Sequence, residues 1–209
     1  MNTTSIQTGL SILLILTSQL THAQDQWKLM KSKDGIAVFQ KQGSKKENLE
    51  SKIEMIVPQS LPEVVAIITN FDHYKNWNSN CNASRLVKKT GANEWYYYQA
   101  FSVPFIDDRE LYAKVTLQTL PDKSCKIHIE ACPKIATTNK HYIRINTFHC
   151  DYLLKETADG KTLVYSTNAL DMGGSLPASM VNRFSVGSLY TTFSNLREQC
   201  KNNSLASNE

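Results

Sequence analysis

A chain of 209 residues with 41% hydrophobic and 20% charged side chains suits one folded domain. Such a domain buries about 70% of its unfolded surface without needing metal or disulfide staples. The net charge of +4 is spread over short basic pairs such as Lys45-Lys46 and Lys88-Lys89, so the chain lacks the basic stripe of a nucleic-acid binder and no nucleic-acid partner is expected. Most of these pairs read as solvated surface; the rest would suit transient contact with an anionic membrane surface.

In chain order, residues 1–23 read as a cleavable secretory signal. The apolar run at 10–20 is too short for a membrane span, and Thr21-His22-Ala23 offers small residues for cleavage after Ala23. No Lys or Arg precedes the run, which leaves a buried core helix as the other option. The expected location is secreted or periplasmic. The folded domain is expected over 24–201, with a disordered tail at 202–209.

Alternation and β-branched or aromatic content predict strands at 35–40, 49–57, 84–89, 94–103, 109–119, 126–132, 142–155 and 162–171. Turn chemistry at 90–93, 121–123 and 158–161 fits consecutive hairpins, and hence an antiparallel sheet. A first helix starts at Ser60, with Glu63 reaching back to complete a capping box, and runs toward Tyr74. A second runs from about Leu176 to about Cys200, after a turn in which Gly173 and Gly174 permit positive φ, with Pro177 suited to its first helical turn. Its apolar residues form two stripes: Leu176, Met180, Val181 and Phe184, then Leu189, Phe193, Leu196 and Cys200. The stripes sit on nearly opposite sides of an ideal helix and switch at Gly187. Either the helix kinks there, which makes Gly187 a hinge and is the favoured reading, or its second half packs under a different element.

Strand faces carry the site expectations. On 110–118, Leu111, Ala113, Val115 and Leu117 share a dry face. In Trp95-Tyr96-Tyr97-Tyr98, Trp95 and Tyr97 point one way and Tyr96 and Tyr98 the other. Arg144, Asn146, Phe148 and Cys150 share a face; turned inward, it places two polar groups in an apolar space, and turned outward it forms a surface or a structural ion pair. Arg109 stands between ligand contact and a salt bridge to Asp107, Asp108 or Asp171. Of the five cysteines, at least one is unpaired in a secreted chain. If 125–132 and 142–154 form a simple hairpin around Thr137 and Thr138, Cys125 faces Cys150 and the two form a disulfide; a slip of two residues leaves isolated thiols.

No catalytic or metal motif is present: there is no G-x-S-x-G, H-E-x-x-H or Walker loop. In His149-Cys150-Asp151, neighbouring strand residues point opposite ways, so His149 and Cys150 make a poor nucleophile and base. No catalytic residue, metal or cofactor is expected.

With these elements placed, the chain resembles the START domain family of steroidogenic-acute-regulatory-related lipid-transfer proteins, within the Bet v 1-like superfamily. The resemblance rests on Trp27 with Asp34-Gly35-Ile36-Ala37-Val38-Phe39, on Leu61 through Trp77, on Asp108-Arg109-Glu110-Leu111, on Tyr142-Ile143-Arg144, and on Asp171 through Pro177 leading to Val181 and Leu196-Arg197. It implies an α+β helix-grip fold, a U-shaped antiparallel sheet around a long C-terminal helix. It further implies a monomer with one lipid, a phospholipid, fatty acid or sterol-like molecule, in a tunnel beneath that helix. The expected lining is Tyr97, Arg109, Leu111, Ala113, Val115, Arg144, Asn146, Phe148, Met180 and Phe184. Sterol-binding members carry an arginine six residues beyond the one matched by Arg109; here Val115 stands in that place, which counts against that mode of sterol recognition. Opening would come from motion about Gly187 or of the loop at 104–106. The alternatives are a cyclase or hydratase of the same superfamily acting on a polyketide or aromatic substrate, and a partner-binding module with a collapsed core.

Overall fold

Asp34 and Gly35 both adopt positive φ, 51° and 71°, as a tight hairpin turn requires. They join β1 (Lys28–Lys33) to β2 (Ile36–Gln42); β2 is the strand expected at 35–40, while β1 is not among the expected strands, being almost wholly exposed and without alternation. The computed structural model describes residues 27–43, 49–104, 106–137, 139–173 and 178–206, with side chains of the last segment described for 185–202. The expected signal at 1–23 lies outside the described residues.

β3 (Leu49–Val57) leads into α1 (Leu61–Ile68) and a 3₁₀ turn, Phe71–Asn76. The Glu63 carboxylate accepts hydrogen bonds from Ser60 N at 2.9 Å and Ser60 Oγ at 2.6 Å, so the predicted cap starts this helix. β4 (Cys81–Gly91), β5 (Glu94–Phe101), β6 (Arg109–Thr119) and β7 (Cys125–Ala131) follow as a meander. After β8 (Ile143–Arg144) come β9 (Thr147–Glu156), β10 (Thr162–Asp171) and α2 (Ala178–Ala206). Spatial order is β1-β2-β3-β10-β9-β7-β6-β5-β4, antiparallel throughout, with β8 alongside β6 in parallel. This curved sheet with one long terminal helix is the helix-grip fold.

Both arms of the sheet hold α2 by its C-terminal half. On one side Tyr190 Oη donates to Asp34 Oδ2 at 2.7 Å and Arg197 Nη1 to Asp34 O at 2.5 Å. On the other, Asn195 Nδ2 donates to Trp77 O at 3.2 Å, and Thr192 Oγ1 accepts from Ser79 N at 2.9 Å. Phe193 and Leu196 are buried against the sheet, each contributing about 1.5–3 kcal/mol. The helix continues to Ala206, so the expected tail at 202–209 begins inside it.

Two expectations at 125–155 are corrected. The predicted strand at 142–155 is broken: Ile143 N and Ile145 N bond Asp108 O and Glu110 O, each at 2.9 Å, before β9 starts on β7. The connection from β7 is therefore not a simple hairpin, and the register differs from the one assumed. Cys125 faces Leu154, while Cys150 faces Ile129, four residues further along β7. At about 3.3 Å per residue that separates the two by roughly 13 Å, beyond a disulfide's reach of about 7 Å. None of the five cysteines is in a disulfide.

Candidate functional site

Between sheet and α2 the interior divides in two. One half is filled: Phe71 of the 3₁₀ turn stacks on Tyr97 with ring centroids 5.1 Å apart and leans on Trp95 at 6.0 Å, while Tyr74 meets Trp77 at 4.7 Å. The other half is a cavity of about 220 Å³. Its walls are largely apolar: Phe101 and Leu111 from β5 and β6, Ile145 and Phe148 around β9, and Leu170 from β10. α2 covers it with the face carrying Ser185, Ser188, Leu189, Thr192 and Phe193, whose spacing is that of one helical side.

Of the expected lining, Tyr97, Arg109, Leu111 and Phe148 border this cavity. Ala113 and Val115 do not. They share the face of Leu111 but pair with Tyr97 and Trp95 on β5, where Phe71 fills the space, so both are fully buried core. Arg144 lies outside the cavity as well. Its Nη2 and Nε donate to Glu110 Oε1 at 2.7 and 2.9 Å, and its remaining donors reach the carbonyls of Pro133, Ala136 and Thr137. The ion-pair alternative is the one the structure shows. Asn146 is exposed beside a shallow outer depression with Pro133, Lys134 and Thr137. The break between β8 and β9 resets the alternation, so Ile145 takes the inward position expected of Asn146. Met180 and Phe184 have side chains outside the described residues. Gly187 is exposed within an unbroken α2, with open space where a Cβ would sit. Trp77, Ile145 and the α2 serines went unpredicted, although the second apolar stripe, Leu189 and Phe193, already marked that side of the helix.

Arg109 is the one charged side chain among the described residues of the cavity wall. It is only 2% exposed, and its one hydrogen bond among the described residues runs from Nη1 to Asp107 O. Its Nε is buried without a partner. The salt bridges considered from the sequence do not form: Asp108 accepts from Ser102 Oγ at 2.7 Å, and Asp171 from Gly173 N at 2.9 Å. Burial pulls the Arg109 pKa down, while Asp107 and Asp108 favour its charged form. The other titratable cavity groups are kept neutral by desolvation: Tyr97 and Tyr152 are raised well above the ordinary phenol value, and Cys150 is pushed up to about 12.

Near Gly173, φ is 65° and an added Cβ would come within 3.3 Å of Ile143 Cγ2, so the turn after β10 needs glycine there for both conformation and space. Gly173 thus lies against Ile143 of β8. Two further polar contacts fasten the helix at the cavity's edge. Gln40 Nε2 donates to Ser185 Oγ at 2.7 Å, and Asn80 Nδ2 to Ser188 Oγ at 3.0 Å.

A curved antiparallel sheet closed by one long helix over an apolar hollow defines a helix-grip protein with an internal binding pocket. The START domain family model matches residues 10–205, and the chain belongs to that family. The chain is 26% identical over 176 residues to the uncharacterized protein PA1579 of Pseudomonas aeruginosa, covering 83% of this chain and 86% of that one. The crystal structure of the STAR-related lipid transfer protein from Xanthomonas axonopodis matches with a TM-score of 0.78 at 26% identity, covering 85% of this chain and 99% of that one. Human StAR-related lipid transfer protein 5 shares the fold, with a TM-score of 0.74 at 17% identity, covering 88% of this chain and 92% of that one.

Proposed function

We propose that this protein binds one lipid in the cavity under α2 and carries it between membrane surfaces outside the cytoplasm. The observation that carries this reading is the unfilled apolar hollow of about 220 Å³ in a START domain. That space holds on the order of fifteen water-sized groups, and a methylene is of similar bulk, so one acyl chain fits. Each buried methylene contributes about 0.8 kcal/mol, enough for the tail to supply most of the affinity. The relative from Xanthomonas axonopodis, named as a lipid transfer protein, supports the same reading.

The enzyme alternative gains nothing from the geometry. Arg144 is committed to Glu110 outside the cavity, Asp171 is exposed, and the cavity phenols and thiol hold their protons tightly. Release proceeds by lifting α2 about Gly187 or by moving the loop at 104–106, which borders the cavity through Ile106. Secretion rests on the signal-like sequence of residues 1–23 and predicts a mature chain beginning at Gln24.

Native mass spectrometry of protein purified from its own host tests the reading. A single lipid mass released on activation is the expected result. A folded protein that is empty and takes up no lipid from vesicles would overturn it.

A further inference from the structure

Given that lipid reading of the cavity, we infer that the ligand's head is an anion, a carboxylate or phosphate, seated on the guanidinium of Arg109. The fold buries this side chain to 2% exposure at the start of β6, in a cavity wall that also holds Phe101, Val103, Ile106 and Leu111. A guanidinium does not shed its proton in proteins, so Arg109 is a permanent cation in an apolar wall. Among the described residues it forms no ion pair, and only Nη1 has an acceptor, the carbonyl of Asp107. Nε has none.

The acidic groups that face it do not answer this need. Asp107 is exposed, and Asp108 is turned to Ser102 Oγ at 2.7 Å. Both steady the charge from a distance without taking the free donors. A fork of unused N–H groups in a low-dielectric pocket is complementary to an oxyanion, which accepts two parallel bonds and cancels the charge. A hydroxyl head, as on a fatty alcohol or sterol, accepts only weakly and leaves the cation uncompensated. The apolar remainder of the cavity then takes the tail, and the empty state is electrostatically incomplete.

The test compares ligands that share one tail. Delipidated full-length protein is titrated with radiolabelled hexadecanoate, with hexadecanol, and with vesicles containing dihexadecanoyl phosphatidic acid. Hexadecanoate or phosphatidic acid should bind at least about tenfold more tightly than hexadecanol, the gain expected of a charged hydrogen bond. The Arg109→Gln variant should lose that preference and keep its affinity for the alcohol. Preference for hexadecanoate identifies a carboxylate head, and preference for phosphatidic acid alone a phosphate head. In wild-type protein the advantage of hexadecanoate should fade as acidification protonates it, while alcohol binding stays level, which tests the idea even if the variant fails to fold. Equal binding of acid and alcohol, or a preference that survives Arg109→Gln, overturns the anion assignment and leaves the lipid reading intact. Failure of all three to bind sinks both.

Discussion

Arg109 and Glu110 are neighbours on β6, yet the two faces of the strand treat charge in opposite ways. On the outer face, the Arg144 guanidinium is bound to Glu110 and to three backbone carbonyls, sealing the connection between β7 and β8 onto the sheet. On the inner face, Arg109 is buried just as deeply with a single carbonyl for company. Equal burial therefore does not mean equal purpose. A satisfied guanidinium is structural cement, whereas an unsatisfied one holds donors in reserve for something that arrives later.

The largest effect that probes this contrast is Arg144→Ala, which strands the Glu110 carboxylate. It should cost about 3–5 kcal/mol of stability in urea denaturation. A loss below about 1 kcal/mol would mean that the outer pair is not cement. Arg109→Gln should behave in the opposite sense: ligand-free stability should hold or rise, because an uncompensated cation has been removed. A loss as large as that of Arg144→Ala would erase the distinction.

Gly187→Ala bears on the cover over the inner face. An alanine there meets no neighbour, so it should add about 1 kcal/mol through helix propensity alone and slow lipid exchange between vesicles. An unchanged exchange rate would remove Gly187 as the hinge. The smallest effect concerns Cys150, whose thiol is pushed from 9.0 up to about 12 by burial. A raised folded value means its contribution is intact below about pH 9 and is lost as pH rises toward 12. Thiol labelling at pH 8 should therefore modify half-buried Cys125 and Cys132 and spare Cys150. Labelling of Cys150 at a comparable rate would show that solvent reaches the cavity freely.

Much of the fold could be read from local chemistry. The Ser60 and Glu63 cap, the dry face of β6 and the strand, turn and helix at the end of the chain all carry short-range signatures. β1 does not, since Lys28–Lys33 has no alternation; the Asp34-Gly35 turn was the signal that could have revealed it. β8 is two residues in a parallel bridge, too short for any periodic pattern. For the cavity, strand parity sorted Tyr97, Leu111 and Phe148 onto faces but left open whether the faces of Tyr97 and Phe148 turned inward; all three, with Arg109, border the hollow. Parity cannot say how far along a strand the hollow extends. Ala113 and Val115 pair with Tyr97 and Trp95, whose rings pack on Phe71, a residue some forty positions away in sequence whose placement depends on the whole path from α1 to β4.

The uneven fastening of α2 has a consequence for how stability and traffic are related. Its C-terminal half is riveted by buried rings and by bonds to both arms, while over the cavity Ser185 and Ser188 contribute hydrogen bonds that water can replace at about 0.5–1.5 kcal/mol each. Raising that portion disturbs no packed ring among the described residues. If the protein carries lipid as proposed, cargo would enter and leave at a small fraction of the unfolding energy, and exchange could be tuned at two serines without weakening the body of the domain.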